Sequence, residues 1–366
     1  MTRLLLVSTS YPADESDWKG RFIADMLEAL ARKPSLEIGV WAPPGKRPEG
    51  VVDATTPRDQ AWLNKLMAAG GIAALLRAHK ITGLTASVSL LIRLSQAYRR
   101  AHVDVAHVNW LQNALPLWGT RTPALVTVLG SDYGLLNLPG MVTALRAVFS
   151  RRRTILAPNA AWMAPRLQSI FGDVAQIKAV PFGVERRWFE IDRDSAEPGC
   201  WLAVTRLTRN KIGDLFDWGE GLFDDSRHLH LFGPMQEQVT LPDWVVWHGP
   251  THPLELQTVW FPKATGLISL SRHDEGRPQV MLEAMAAGLP VIASDLPAHR
   301  DLLSHGGTGW LIKERRELHG ALAAMDDMEH NRRIGQAAKQ FIKTEIGDWD
   351  DCAERYSTLY QELGAK

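Results

Sequence analysis

Residues 271–290, SRHDEGRPQVMLEAMAAGLP, hold the densest chemistry in the chain, with seven residues between Glu275 and Glu283. Pro278 suits the first turn of a helix and Gly288 suits its end. That reading puts Glu275 in a loop and Glu283 inside the helix, roughly a turn and a half past Pro278. An apolar run, Gly266–Leu270, precedes the loop and reads as a strand. In doubly wound sheets, ligands bind beyond the carboxyl ends of strands, where such loops lead into helices. The helix start there favours a phosphate. A carboxylate at position 283 can accept bonds from two adjacent hydroxyls, as on a ribose, and Glu275 can face a sugar. Gly276, Arg277, Pro278, Gln279 and Val280 complete the expected donor loop. His273 beside Glu275 reads as loop support.

A second cluster, Val204–Lys211, follows another strand-like run. Its Arg206 and Lys211 are placed to converge on a diphosphate. A nucleoside diphosphate leaving group needs its charge neutralised more than it needs a proton. Fixed cations do that in place of a metal. No metal and no other cofactor are expected. The two cysteines, Cys200 and Cys352, form no CxxC pair. Asp192-Arg193-Asp194 and Asp348-Trp349-Asp350 fit a metal-binding string, but their predicted linker and helix settings mark them as solvated faces. In the first half, His107, Asn109 and Asp132 stand at predicted strand ends and are candidates for acceptor contacts. Glycoside hydrolysis needs two carboxylates flanking the bond at a set separation, which this loop-and-helix placement does not give. Strings for a nucleophile elbow or a P-loop are absent.

These groups need a scaffold, and the hydrophobic pattern supplies one. Leu4–Ser8, Glu37–Ala42, Val103–Val108, Ala124–Leu129 and Thr154–Ala157 read as strands, with helices at Phe22–Ala31 and Thr143–Ser150. The pattern restarts with strands at Trp201–Thr205, Leu229–Gly233, Val245–His248, Gly266–Leu270 and Pro290–Ala293, and helices at Val280–Ala287 and Leu318–Met325. The alternation implies two α/β units with parallel sheets. Glu190–Gly199, with Asp192, Asp194, Pro198 and Gly199, reads as the linker. Asp348–Leu363 reads as a terminal helix with one apolar stripe of Trp349, Cys352, Tyr356, Leu359 and Leu363.

Charge is unevenly spread. Residues 1–190 hold 23 Lys+Arg and 14 Asp+Glu, while the whole chain is neutral. The first half is therefore expected to meet something anionic. Trp62–Arg100 is apolar and basic, reading as two helices that cover the sheet, or as a surface for a membrane or lipid-linked acceptor. The opening apolar run is too short for a signal segment, and no stretch is long enough to span a membrane. A cytoplasmic protein, peripheral on the inner face of the membrane, is expected.

The Glu-x7-Glu block with Arg206 and Lys211 resembles the retaining GT-B glycosyltransferases of family 4, the group 1 type. Ser10-Tyr11-Pro12 with Gly20 is similar to that family's first glycine-bearing loop. Pro181-Phe182-Gly183-Val184-Glu185 resembles its segment before the linker, and His248-Gly249-Pro250 resembles its step before the motif helix. The resemblance implies two Rossmann-like doubly wound domains facing across a cleft. The first, 1–190, would bind the acceptor, joined by a crossover helix at 348–366; the second, 191–347, would bind the nucleotide-sugar. It implies that Glu275 faces the donor sugar, Glu283 binds ribose, and Arg206 with Lys211 hold the diphosphate, with Gly20 also on the donor side. It departs from the family at Leu129, where a sugar-contacting His is usual; an apolar residue there suits a donor without a 6-hydroxyl, or simply packs beneath the loop. The implied activity is metal-independent transfer, with retention, from a nucleotide-sugar to a glycan or lipid-linked glycan hydroxyl in cell-surface polysaccharide or lipopolysaccharide assembly. A nucleotide-sugar epimerase and a silent scaffold are the alternatives. No nucleic-acid partner is expected.

Overall fold

The computed structural model describes residues 1–14, 17–193, 199–273 and 275–365. Asp194 and Pro198 of the expected linker, Asp274 and the terminal Lys366 lie outside the described residues. The chain divides into two compact units, Met1–Phe182 with Trp349–Lys366, and Gly183–Asp348.

The first unit is built on seven parallel strands: β1 (Thr2–Val7), β2 (Leu36–Trp41), β3 (Val52–Asp53), β4 (Val105–Asn109), β5 (Ala124–Val128), β6 (Thr154–Pro158) and β7 (Gln176–Ile177). Their order is β3-β2-β1-β4-β5-β6-β7. The chain leaves β1 toward one edge and later returns to β4 beside it, so a switch point lies between them. Leu5 and Val7 point into one apolar cluster, Leu4 and Leu6 into the other. A strand buried on both faces needs such an unbroken apolar run. The helix Trp349–Gly364 covers the second face, with Trp349, Cys352, Tyr356, Leu359, Tyr360 and Leu363 in that cluster.

The second unit holds β8 (Cys200–Val204), β9 (His228–Phe232), β10 (Val245–Gly249), β11 (Gly266–Ser269), β12 (Val291–Ser294) and β13 (Gly309–Ile312). The parallel order is β10-β9-β8-β11-β12-β13, with the switch point between β8 and β11. The helix Gln279–Ala286 follows β11, with Pro278 as its N-cap and Gly288, at φ 76°, just past its C-cap Ala287. Both unit sheets match the expected α/β doubly wound class. β3, β7, β13 and the helix Met328–Phe341 are additions to the sequence reading. The segment expected as two helices holds three, Pro57–Ala68, Gly71–Ala78 and Lys80–Arg100, because Gly70 and Gly71 both take positive φ and break it. Among the described residues no helix is long and apolar enough to cross a membrane.

One glycine sets how closely the loops after β8 and β11 approach. Gly213 has φ 56° and ψ −121°, and a Cβ on it would lie 1.9 Å from the Leu270 carbonyl oxygen. An L side chain there meets both a forbidden backbone region and fixed main chain. Gly213→Ala is expected to lower unfolding free energy by roughly 3 kcal/mol in urea titration. A loss below about 0.5 kcal/mol would show that the two loops are free to separate.

Candidate functional site

The loops after β8 and β11 flank the switch point of the second sheet, and they are laced together. The Arg272 N–H donates to the Asn210 carbonyl at 2.8 Å, and the Asp214 N–H donates to the Leu270 carbonyl at 3.2 Å. Thr208 caps the short helix Arg209–Ile212, its hydroxyl accepting the Lys211 N–H at 3.2 Å. The Lys211 side chain leaves that turn toward the β11 loop and forms an ion pair with Glu275. The pair is largely sequestered, with the lysine side chain 14% and the glutamate side chain 16% exposed. Burial holds the Lys211 ammonium below its ordinary pKa; Glu275 pulls it back up, and the positive charge of Arg206 pushes it down again. Three of the four residues singled out in the sequence are thus electrostatic neighbours. Lys211 pairs with Glu275, and the charge of Arg206 reaches the same ammonium.

Glu283 is half-buried in the helix Gln279–Ala286, about 6 Å of helix rise beyond Gln279. The rest of the donor loop is mostly structural in its side chains. Gly276 and Pro278 are buried, and Arg277 makes a buried ion pair with Asp301. Gln279 donates to the Gly183 carbonyl at 2.9 Å, and the Val280 side chain packs on an apolar cluster of the unit. What this stretch leaves for a ligand is mainly the start of the helix, where the first N–H groups have no intrahelical partner.

The sequence reading missed His299. It follows β12, is fully buried, and its Nδ1–H donates to the Ser294 carbonyl at 2.6 Å. That bond leaves Nε2 as the ring's acceptor, and Nε2 has no partner among the described residues. The charges of Glu275 and Lys211 both reach this ring, whose pKa burial drives down. The only signal in the sequence was its place just past a strand's carboxyl end. Asp301 was also missed, because its partner Arg277 is 24 residues earlier and on another loop.

In the first unit, the residues expected to meet an acceptor are interior. His107 is fully buried between the sheet and the last helix. Its Nδ1 bonds the Tyr360 hydroxyl and its Nε2 the Thr127 hydroxyl, each at 2.7 Å. Desolvation drives its pKa down to about 3, so it is a neutral core residue and not an acceptor contact. Asp132 is also buried, accepting the N–H of Leu111 at 2.6 Å and of Leu129 at 2.7 Å. Burial raises its pKa to about 7 against those bonds. It ties the loop after β4 to the loop after β5 and has no acceptor role in this placement. Leu129 is 7% exposed and belongs to an apolar cluster. Asn109 is buried at the switch point, donating to the Val7 carbonyl at 3.1 Å. Gly20, at φ 70°, lets the start of the helix Arg21–Ala31 rest against the Ser10–Tyr11 backbone, 2.7 Å from where a Cβ would sit.

Two aspartates of the metal-like strings, both in Asp348-Trp349-Asp350, are held in ion pairs. Asp350 pairs with Arg32 at 2.6 Å, and Asp348 pairs with Arg186 at 2.5 Å. Among the described residues, no group of three or more His, Cys, Asp or Glu is placed to hold a metal ion.

Comparison with known proteins fits this geometry. Residues 238–343 match the family described as glycosyl transferases group 1, a span that includes Glu275 and Glu283 but not Arg206 or Lys211. Spore coat protein SA of Bacillus subtilis (strain 168) is 25% identical over 141 residues, 37% of this chain and 35% of that protein's length. The match therefore spans about a third of that relative. The structure of sucrose-phosphate synthase from Thermosynechococcus elongatus superposes with a TM-score of 0.72 at 16% identity, covering 99% of both chains. HepE from Anabaena, in complex with UDP, superposes with a TM-score of 0.69 at 13% identity, covering 99% of this chain and all of that one. At these identities the likeness is one of fold. Residues 238–343 thus resemble the glycosyl transferases group 1 family in sequence, and the whole chain shares the GT-B fold of these solved structures.

Proposed function

We propose that the second unit binds a nucleoside-diphosphate sugar and that the chain transfers its glycosyl group, with retention and without a metal, to an acceptor hydroxyl. The observation that carries this reading is the placement of Lys211, Arg206 and Glu275 together at the switch point of the second sheet. Arg206 and Lys211 neutralise the diphosphate, which then leaves without a metal ion. Glu275 faces the donor sugar, and Glu283 accepts bonds from the ribose hydroxyls. The bond from the anomeric carbon to the phosphate oxygen breaks, the acceptor oxygen bonds that carbon on the same face, and the acceptor proton leaves on a phosphate oxygen. The UDP held by HepE makes UDP the first nucleotide to try. The positive surplus of residues 1–190 supports an anionic or lipid-linked glycan acceptor, in assembly of a surface polysaccharide or lipopolysaccharide on the inner face of the membrane.

Calorimetric titration with UDP, GDP and dTDP, each in EDTA, tests the reading. One nucleotide is expected to bind with micromolar affinity without metal. Failure of all three to bind would refute it. Release of a rearranged sugar in the absence of any acceptor would replace transfer by epimerisation.

A further inference from the structure

The helix Lys80–Arg100 is apolar on two opposite sides. Leu90, Leu94 and Ala97 lie on one side and are buried in the core of the first unit. Ile81, Leu84, Val88 and Ile92 recur at steps of three and four on the other side, and they are 79, 60, 56 and 54% exposed. A helix on the surface of a soluble domain needs one apolar stripe, facing the core. The second stripe runs about 16 Å along the helix with no partner in this unit to explain it. The preceding helix, Gly71–Ala78, repeats the anomaly: its sequence is GIAALLRA, yet none of its residues is fully buried. The two helices form a close hairpin, because buried Gly83 has no side chain and lets Leu76 approach to where its Cβ would be, at 2.6 Å. Leu76 is itself 37% exposed.

The charges around this hairpin have one sign. No Asp or Glu occurs between Asp59 and Asp104, while Lys65, Arg77, Lys80, Arg93, Arg99 and Arg100 do. Arg93 and Arg100 turn back to Asp59. Arg77, His79 and Lys80 stand exposed together at the bend between the two helices. Exposed apolar side chains beside bare cations fit an interface that is greasy within and anionic at its surface.

We infer that the hairpin Gly71–Ile92 docks on a lipid bilayer carrying anionic headgroups, with Ile81, Leu84, Val88 and Ile92 entering the acyl boundary and Arg77 and Lys80 meeting the headgroups. The inference deepens the membrane-side part of the reading above by naming the surface, and it does not require the donor chemistry. It also gives the basic first half a specific use, since the surplus charge is concentrated where apolar side chains are left in water.

Co-sedimentation of the full chain with vesicles tests it, using phosphatidylcholine alone and phosphatidylcholine with 30 mol%, about a third, of phosphatidylglycerol, a fraction in the range of charged leaflets. The wild type is expected to sediment with the anionic vesicles and to be released by high salt. Leu84→Glu with Val88→Glu is expected to weaken binding at least about ten-fold. Arg77→Gln with Lys80→Gln is expected to weaken it about five-fold per charge removed. All four positions are exposed, so thermal unfolding and nucleotide affinity should stay at wild-type values in both variants. Equal sedimentation with both vesicle types, or no change in either variant, would overturn the inference. A wild-type dimer that the Glu variants turn into a monomer in sedimentation velocity would assign the face to a second copy of the chain. Loss of nucleotide binding with vesicle binding intact would strike the donor reading and leave this one standing.

Discussion

Replacing Glu275 with Gln is expected to lower kcat about a thousand-fold while leaving the nucleotide bound as tightly as in the wild type, or several-fold more tightly. The two effects come from one contact. Glu275 spends the unliganded state on Lys211, in a pair that is mostly out of water. An entering diphosphate must share or displace that carboxylate to reach the lysine. Gln keeps the shape and removes the negative charge, so Lys211 and Arg206 face the diphosphate alone. The loss of rate arises at the sugar, where a fixed negative charge stabilises the positive anomeric carbon; removing one such preorganised group typically costs 10²–10³-fold. A pH signature accompanies the split. Lys211 already sits below its ordinary pKa by burial, and Glu275 opposes that shift. Without Glu275 the ammonium loses its proton at lower pH than before. Nucleotide affinity of the variant should therefore fall as pH rises through the alkaline range sooner than that of the wild type. Calorimetry at several pH values, beside steady-state kinetics, reads both. A kcat within a few-fold of wild type, or affinity falling in step with kcat, would remove Glu275 from the proposed role.

Lys211→Ala should do the reverse, weakening nucleotide binding about a hundred-fold. A charge-assisted bond to a phosphate is worth roughly 1.5–3 kcal/mol in a sequestered site. The substitution also leaves the Glu275 carboxylate, whose side chain is 16% exposed, without its Lys211 partner and turned toward the incoming phosphates. Repulsion then adds to the lost attraction. Adding Glu275→Gln to Lys211→Ala should restore part of the affinity, so the two changes are not additive, as expected for groups in direct contact. Arg206→Ala should be milder, because Lys211 keeps its pair. Additive losses in the double variant would mean that the ion pair does not compete with the nucleotide.

How far the sequence could be read depended on where each residue finds its partner. Central strands such as Leu4–Val7 declare themselves because both faces are buried and the apolar run is continuous. The edge strands Val52–Asp53 and Gln176–Ile177 are two residues long and leave no period to detect. Glu275, Glu283, Arg206 and Lys211 were legible as types at spacings that suit a donor. The meeting of Lys211 with Glu275 depends on β8 and β11 lying side by side, which the chain order does not state. His299 was invisible because its neighbours come from three separate loops. His107 was misread for the opposite reason. Seen along the chain it stands near a strand's end, but its covering partner, Tyr360, is 253 residues away.

The helix Trp349–Gly364 carries a consequence for biogenesis. It belongs to the first unit, and it closes one face of that unit's sheet over His107 and Thr127. During translation, residues 1–182 emerge with that greasy face open and stay so while the intervening 166 residues are made. The second unit is contiguous and can mature on the ribosome; the first must wait, exposed, for its seal. A nascent chain stalled before residue 349 should therefore be a chaperone client, holding a finished donor unit beside an unfinished one.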